Sequence, residues 1–193
     1  MSIYTRMAPD LDLLSGPWRW TDDTHMALSI VENLKIHGRI EQDSLAQAFA
    51  QRLKEEPYRG YARGAWNLLI QIAAGANWRE LAPTLFGTGS YGNGAAMRAA
   101  PIGGYFYSDP EPAAYEAQQS AVITHAHPEG HAGSMAVAVA ASIAASGPPP
   151  SGSDFLAEVL LHVPESVTKS KIERAMEISP DQVYDSIREL RTR

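Results

Sequence analysis

Apolar residues along the chain recur mostly at helical spacing, and the alternation typical of strands is scarce. After Thr24, apolar positions three and four residues apart predict a first helix, in which Met26, Ala27, Ile30, Val31 and Leu34 share one face. A second stripe begins after Ser44 and consists of Leu45, Phe49 and Leu53. A third helix is predicted over residues 62–75, where a glycine ends it.

The middle of the chain continues the helical pattern. Residues 77–86 predict a short helix that is broken by Pro83. Residues 109–127 predict a helix with prolines and acidic side chains near its start. Residues 133–145 carry no charge on any face, so we expect a centrally buried helix.

A proline-rich connector, residues 147–153, precedes three weaker predicted helices. They cover residues 154–163, 166–177 and 180–191. The whole pattern predicts an all-α fold, with residues 1–193 forming one compact helical bundle.

Composition narrows the function classes. The chain has 193 residues, of which 45% are hydrophobic, as expected for one globular domain. The net charge of -6 argues against a nucleic-acid partner, which needs basic protein surface. Because cysteine is absent, disulfides, thiolate metal sites and a cysteine nucleophile are excluded. We see neither a signal-peptide pattern nor a long apolar run, and therefore expect a cytoplasmic protein without a membrane partner.

Two adjacent aspartates stand between threonines at the start of the first predicted helix. Magnesium prefers carboxylate and hydroxyl oxygens, and neighbouring carboxylates repel each other unless a cation joins them. Thr21, Asp22 and Asp23 are therefore candidate metal ligands. The alternative is an ordinary helix cap, in which these side chains accept N–H groups of the first turn. His25 is either a further ligand or, as we favour, a polar group on the helix flank.

The segment GTGSYGNGAAMR, residues 87–98, places four glycines ahead of a predicted helix start. Glycines let backbone N–H groups approach a ligand closely, and a helix N-terminus attracts anions. The candidate anion-binding residues are Ser90, Tyr91, Gly92, Asn93 and Gly94. No predicted strand precedes them and the P-loop lysine is absent, so this is neither a dinucleotide fingerprint nor a P-loop. The alternative is a loop with a helix cap at Asn93, and Tyr91 is either a flat surface for adenine or ribose or a packing anchor.

Three histidines, His125, His127 and His131, follow the second motif. Pro128 and Gly130 interrupt them, so they do not share a helical face as the zinc ligands of HExxH do. We favour a role in which His125 ends a helix, faces a pocket and bonds a sugar hydroxyl, while the other two cap and pack the loop. A zinc site is the alternative.

The three motifs, in this order, resemble the ADP-ribosylglycohydrolase family, which includes the dinitrogenase reductase-activating glycohydrolases. The resemblance rests on WTDDTHMAL, GSYGNGAAMRAAPIG and ITHAHPEGHAGSMAVAVA, and spans residues 18–145. It implies an all-α fold, a centre of two magnesium ions, and hydrolytic removal of ADP-ribose from a modified protein or a related ADP-ribosyl compound.

The resemblance also implies roles for individual residues. Thr21, Asp22 and Asp23 match the first group of metal ligands, and the two aspartates are the candidate catalytic residues. The loop that matches the diphosphate site consists of Ser90, Tyr91, Gly92, Asn93 and Gly94. His125 matches a histidine that contacts ribose.

The chain departs from the family pattern in two places. Family members have a GDALG-like segment and a flap glutamate before the acidic turn, which are not found ahead of Thr21. They also carry a late GGDxDT-like turn, of which Gly152, Ser153 and Asp154 are the nearest imitation. We therefore expect one magnesium ion or none, and slow or absent hydrolysis. The alternatives are a non-catalytic binder of ADP-ribose or a nucleotide, and a helical scaffold.

Overall fold

The computed structural model describes residues 19–148 and 151–178, and within them the chain is helical throughout, with no strand. The predicted all-α class is confirmed. The helices are α1 (Asp22–His37), α2 (Gln42–Glu55), α3 (Arg63–Ala73), α4 (Trp78–Leu81), α5 (Ala100–Tyr105), α6 (Pro110–Ala121), α7 (Pro128–Ala145), α8 (Gly152–Leu160) and α9 (Val167–Met176). The helix predicted over residues 180–191 lies outside the described residues.

Helices α2 and α3 pack through their apolar residues into the main core. Leu45, Phe49 and Leu53 of α2 are fully buried, as are Leu68 and Leu69 of α3. They form the main core together with residues of α1. Helical periodicity therefore places these elements correctly, because each buries one continuous apolar stripe.

The buried face of α1 differs from the predicted one. Met26, Ile30 and Leu34 are buried, but Val31 is 38% exposed. A row of polar side chains on the neighbouring face of α1 is buried instead, and its last member is Asn33. The Asn33 amide exchanges two hydrogen bonds with the Glu41 backbone, at 2.9 and 3.2 Å. Polar groups can occupy this row because hydrogen bonds to neighbouring segments satisfy them.

Helix α7 begins five residues earlier than predicted, at Pro128, and has eight buried residues. Helix α5 lies directly on it, since a Cβ added at Gly103 would come within 2.0 Å of the Ala138 carbonyl oxygen. Only glycine permits such contact between backbones. The predicted central burial of residues 133–145 is confirmed for the middle of the helix, whereas Ala144 and Ala145 are exposed.

Two further predicted boundaries are wrong. The helix predicted over residues 109–127 ends at Ala121. After the glycine-rich segment, only one 3₁₀ turn forms, Ala96–Arg98, and α5 follows it. Pro101 explains this break, because it has no N–H to continue the first turn and is favoured at a helix start.

The described helices include none with the length and apolar character that a membrane span needs. A second, smaller cluster joins one side of α7 to the later part of the chain, to which Val159 and Val163 belong. Glu129 joins this region to α9, because its carboxylate accepts hydrogen bonds from the backbone N–H groups of Val167 and Thr168, at 2.7 and 2.9 Å.

We expect Ala138→Glu to lower the free energy of unfolding by about 3 kcal/mol or more, because it places a carboxylate in a fully buried position. Urea unfolding measures this change. The matched control is Ala145→Glu on the same helix, where the exposed position should limit the loss to about 1 kcal/mol. Equal losses in the two variants would contradict the packing of α5 on α7.

Candidate active site

A cavity of about 400 Å³ lies between α1, the start of α3 and the glycine-rich loop. Its volume is in the range of small-molecule sites, about 300 to 1,000 Å³. The predicted residues that line it are Asp22, Ser90, Tyr91, Gly92, Asn93, Gly94 and His125. The fold therefore brings members of all three sequence motifs to one place, although Thr21 and Asp23 are not among the lining residues.

The glycine-rich loop packs directly on the histidine segment. A Cβ at Gly94 would lie 2.7 Å from His125 Cε1, and one at Gly89 would lie 2.7 Å from the His127 backbone nitrogen. Gly89 also has a φ of +84°, which favours glycine. Gly92 is different, because a Cβ there would make only ordinary contacts of 3.7 and 3.8 Å. The packing requires glycine at positions Gly89 and Gly94. At Gly92 the packing leaves space beside the backbone.

The argument from a helix N-terminus does not hold for this loop. The segment that follows it is a 3₁₀ helix of three residues, Ala96–Arg98, which has no extended macrodipole. Anion binding would therefore depend on the loop's own N–H groups. The N–H of Gly92 makes only a long hydrogen bond, 3.4 Å, to Ser90 Oγ.

Two exposed aromatic rings border the cavity. Tyr91 is 67% exposed, and its ring centroid lies 5.3 Å from that of His127. Phe86 is 72% exposed and also lines the cavity. Its backbone has a φ of +57°, which is uncommon for a large side chain. The sequence analysis missed Phe86, although an aromatic residue directly before a glycine turn was a usable signal.

His125 is 7% exposed and lies just beyond α6 rather than at its end. Its backbone N–H donates to the Ala121 carbonyl, 2.8 Å away, and its Nδ1 lies 2.8 Å from Thr124 Oγ1. Burial, with the positive charge of Arg98 and the neighbouring His131, lowers the pKa of His125 to about 3. The imidazole is therefore neutral at physiological pH.

Arg98 is a site residue that the sequence analysis missed. Its side chain is fully buried and lies over the Phe49 ring, 4.4 Å from the centroid. Its Nη2 donates to the Ser120 carbonyl at 2.8 Å and to Thr124 Oγ1 at 3.0 Å. Burial lowers its pKa to about 9, so the guanidinium stays charged at neutral pH. A lone arginine inside the apolar run AAMRAAPI was the available signal.

Only one side chain of the acidic turn lines the cavity. Asp22 is half-buried and lines the cavity. Thr21 is exposed and donates to Asp23 Oδ2 at 2.5 Å, so its side chain does not cap α1. Burial and the negative charge of Asp23 raise the pKa of Asp22, and backbone N–H groups of Asp22 and Asp23 partly oppose that rise.

The oxygen atoms of the turn are of the kind that magnesium prefers. The two carboxylates and the Thr21 hydroxyl are hard donors, and a cation would offset the repulsion between Asp22 and Asp23. In the part of the chain that the structure describes, no group of three or more histidine, cysteine, aspartate or glutamate side chains could hold a metal ion. Asp154, the nearest imitation of the late family turn, instead accepts a hydrogen bond from Ser151 Oγ at 2.5 Å and does not line the cavity.

The remaining histidines have structural contacts. His25 is 3% exposed, so our placement of it on the helix flank is wrong. Its Nδ1 lies 2.9 Å from the Tyr61 hydroxyl, a partner distant in sequence that the pattern could not indicate. The predicted capping role of His127 is confirmed, because its ring accepts the Glu129 N–H at 3.2 Å. Zinc gains no support from the described residues, since His125 and its neighbours form no metal-binding group.

The lowered pKa of His125 predicts a loss of stability in acid. Below pH 6.5 the unfolded chain protonates this histidine, whereas the folded chain keeps it neutral down to about pH 3. The free energy of unfolding should therefore fall as the pH drops through this window. In His125→Gln, denaturant unfolding should show a slope smaller by up to about 1.4 kcal/mol per pH unit. His37→Gln, at an exposed position, controls for loss of a histidine, and parallel curves for His125→Gln and wild type would contradict the prediction.

Comparison with known proteins identifies the family of this chain. The family model for ADP-ribosylglycohydrolase matches residues 3–192. The chain is 35% identical over 147 residues to ADP-ribosylhydrolase ARH3 of Gallus gallus, and 34% identical over 147 residues to that of Homo sapiens. Each match covers 75% of this chain and 40% of the relative.

A third relative, an uncharacterized protein of Archaeoglobus fulgidus, is 29% identical over 185 residues, which cover 95% of this chain and 58% of that protein. The chain thus spans about two fifths of the length of the ARH3 relatives it matches. With the family model matched over almost all of its residues, and the three motifs gathered at one cavity, the chain belongs to the ADP-ribosylglycohydrolase family.

Proposed function

We propose that the cavity binds an ADP-ribosyl group and that the chain acts in its magnesium-dependent hydrolytic removal from a modified protein or a related compound. The observation that carries this proposal is the position of Asp22, the glycine-rich loop and His125 around one cavity in a member of this family. The cavity joins a carboxylate, a weakly engaged backbone N–H and a neutral imidazole, which suit the sugar and diphosphate parts of such a ligand.

The diphosphate fits the loop from Ser90 to Gly94. Backbone N–H groups of glycine-rich turns bind phosphate oxygens because no side chain blocks their approach. Gly92 has the open space that this requires, and its N–H is only weakly engaged by Ser90. In the proposed complex this N–H turns to a phosphate oxygen.

The remainder of the ligand has two kinds of partner. The exposed rings of Tyr91 and Phe86 offer flat apolar surfaces beside the loop, on which an adenine base can lie. His125 faces the same space and, in the proposal, bonds a ribose hydroxyl. The loop between these partners would hold the diphosphate.

Thr21, Asp22 and Asp23 would hold magnesium. Bound there, the ion would supply positive charge that polarises oxygens of the substrate. Asp22 is the carboxylate that lines the cavity, and this position would let it accept a proton there. We assign it the proton of the attacking water, while Asp23, which is not among the lining residues, would help to hold the ion.

A second candidate function is non-catalytic binding of ADP-ribose. It is favoured by the limited acidic set, because the described residues place just one carboxylate, that of Asp22, in the cavity lining. Both candidates require ADP-ribose binding, and only the first requires release of ADP-ribose from a modified protein. A chain that binds no ADP-ribose would instead support the scaffold interpretation.

We expect Gly92→Val to weaken ADP-ribose binding at least about tenfold, which corresponds to about 1.4 kcal/mol. The added side chain enters the cavity without displacing the loop, so helical content should be unchanged. Titration calorimetry measures the affinity. Gly104→Val, on an open surface of α5, is the matched control. Equal affinity of Gly92→Val and wild type would reduce the loop to a structural role.

Magnesium should bind the wild type in roughly the millimolar range typical of sites with few protein ligands. Asp22→Asn should weaken this binding at least about tenfold, since it removes a charged ligand. It should also reduce any magnesium-dependent release of ADP-ribose from a modified protein.

Asp154→Asn is the matched control for the magnesium titration. Asp154 also lies in the first turn of a helix and, like Asp23 of the acidic turn, accepts a hydroxyl hydrogen bond, but it lies away from the cavity lining. Identical titration curves for Asp22→Asn, Asp154→Asn and wild type would mean that the acidic turn holds no cation.

A further inference from the structure

A buried series of hydrogen bonds lies in the wall of the cavity, which Arg98, Thr124 and His125 all line. It begins at Arg98, which is enclosed by Met26 of α1, Phe49 of α2 and the end of α6. No carboxylate forms an ion pair with this guanidinium among the described residues. Its Nη2 instead reaches Thr124 Oγ1 at 3.0 Å, and Thr124 Oγ1 lies 2.8 Å from His125 Nδ1.

The available donors and acceptors determine which way each hydrogen bond between Arg98 and His125 runs. Arginine only donates, so the bond to Arg98 occupies one lone pair of the Thr124 hydroxyl. The hydroxyl hydrogen then needs an acceptor, and within the described residues the only one it contacts is His125 Nδ1. In the reverse arrangement, Nδ1–H would donate and a buried hydroxyl hydrogen would have no partner, which is unfavourable. Donation from a cation also polarises the hydroxyl and makes it a better donor.

We propose that Arg98 and Thr124 are positioning residues that fix His125 as the neutral tautomer with its proton on Nε2. A neutral imidazole has one donor nitrogen and one acceptor nitrogen, so occupation of Nδ1 by the Thr124 hydroxyl leaves the hydrogen on Nε2.

The Nε2 edge of the ring lies against the glycine-rich loop, at the lining of the cavity. It lies 2.9 Å from the position of a Cβ at Gly94 and 3.8 Å from that at Gly92, and both glycines line the cavity. Nε2 has no hydrogen-bond partner among the described residues. His125 therefore donates to an oxygen lone pair of the ligand, either a ribose hydroxyl or a phosphate oxygen, and does not act as a proton acceptor in the reaction.

The positive charge of Arg98 also favours the neutral form of His125. Burial lowers the pKa of the imidazole, and the charge of Arg98 lowers it further. This inference rests on the proposed function for the identity of the ligand, whereas the tautomer itself is a property of the free protein.

The test is nitrogen-15 NMR of the histidine side chains in the full chain at neutral pH, with His125→Gln used to assign the His125 signals. We expect a protonated Nε2 and an unprotonated Nδ1 in the wild type. Thr124→Val keeps the branched shape but lacks the hydroxyl, so the proton should distribute over both nitrogens. Thr124→Ser should restore the Nε2–H form.

Ser120→Ala is the matched control. The Ser120 hydroxyl is buried beside the network without a partner among the described residues, and the variant keeps the backbone carbonyl that Arg98 contacts. It should leave the tautomer unchanged. Arg98→Lys, which keeps the charge but lacks the second nitrogen of the fork, should shift the tautomer as Thr124→Val does. Thr124→Val decides the matter if Arg98→Lys does not fold.

Affinity for ADP-ribose is the second measurement. Loss of a fixed donor in Thr124→Val should weaken binding about three- to tenfold, while Thr124→Ser should stay within about twofold of the wild type. A wild-type His125 with its proton on Nδ1 would overturn the inference, as would a Thr124→Val protein with unchanged tautomer and affinity. If the tautomers behave as expected but no variant or wild type binds ADP-ribose, the positioning role is upheld and the proposed function is wrong.

Discussion

The contact on which the site depends is the burial of the Arg98 guanidinium at the junction of three helices. Its hydrogen bonds to Ser120 and Thr124 fix the segment that follows α6, and its stacking on Phe49 fixes α2. Burial of a charge without an acidic partner is unfavourable. The neutral acceptors and the aromatic face therefore help to stabilise the buried guanidinium. The same cation helps to keep His125 neutral, which links the stability of the bundle to the chemistry of its cavity.

Close backbone contact is the second constraint on the architecture. Gly103 lets α5 lie against α7, and Gly94 lets the loop lie against the His125 ring. In both places a methyl group would collide with a rigid neighbour, so the two glycines set the distances between elements. The loop is consequently held on one side by packing, while Gly92 leaves its other side open to the cavity. The proposed phosphate site would be formed by the shape of the backbone and would need no lysine.

The two aspartates of the acidic turn have different positions relative to the cavity. Asp22 and Asp23 are adjacent in the sequence, yet only Asp22 lines the cavity, while Asp23 accepts the hydroxyl of Thr21. In the proposed function, a cation bound by this turn would lie next to Asp22, at the edge of the cavity. Repulsion between the two aspartates is the electrostatic property that such an ion would relieve, and it already raises the pKa of Asp22.

The sequence by itself determined the helical class, the buried stripes of α2 and α3, and the three motifs of the cavity, because these depend on local periodicity and on residue type. Only the tertiary structure decided which polar groups are buried. His25 is satisfied by Tyr61, 36 positions away, and Arg98 by residues 22 and 26 positions away. Tertiary structure also separated Asp22 from Asp23, since successive helical residues point about 100° apart and the direction of the cavity is set by distant elements. Local pattern carries no information about such partners, because folding brings them together through contacts distant in sequence.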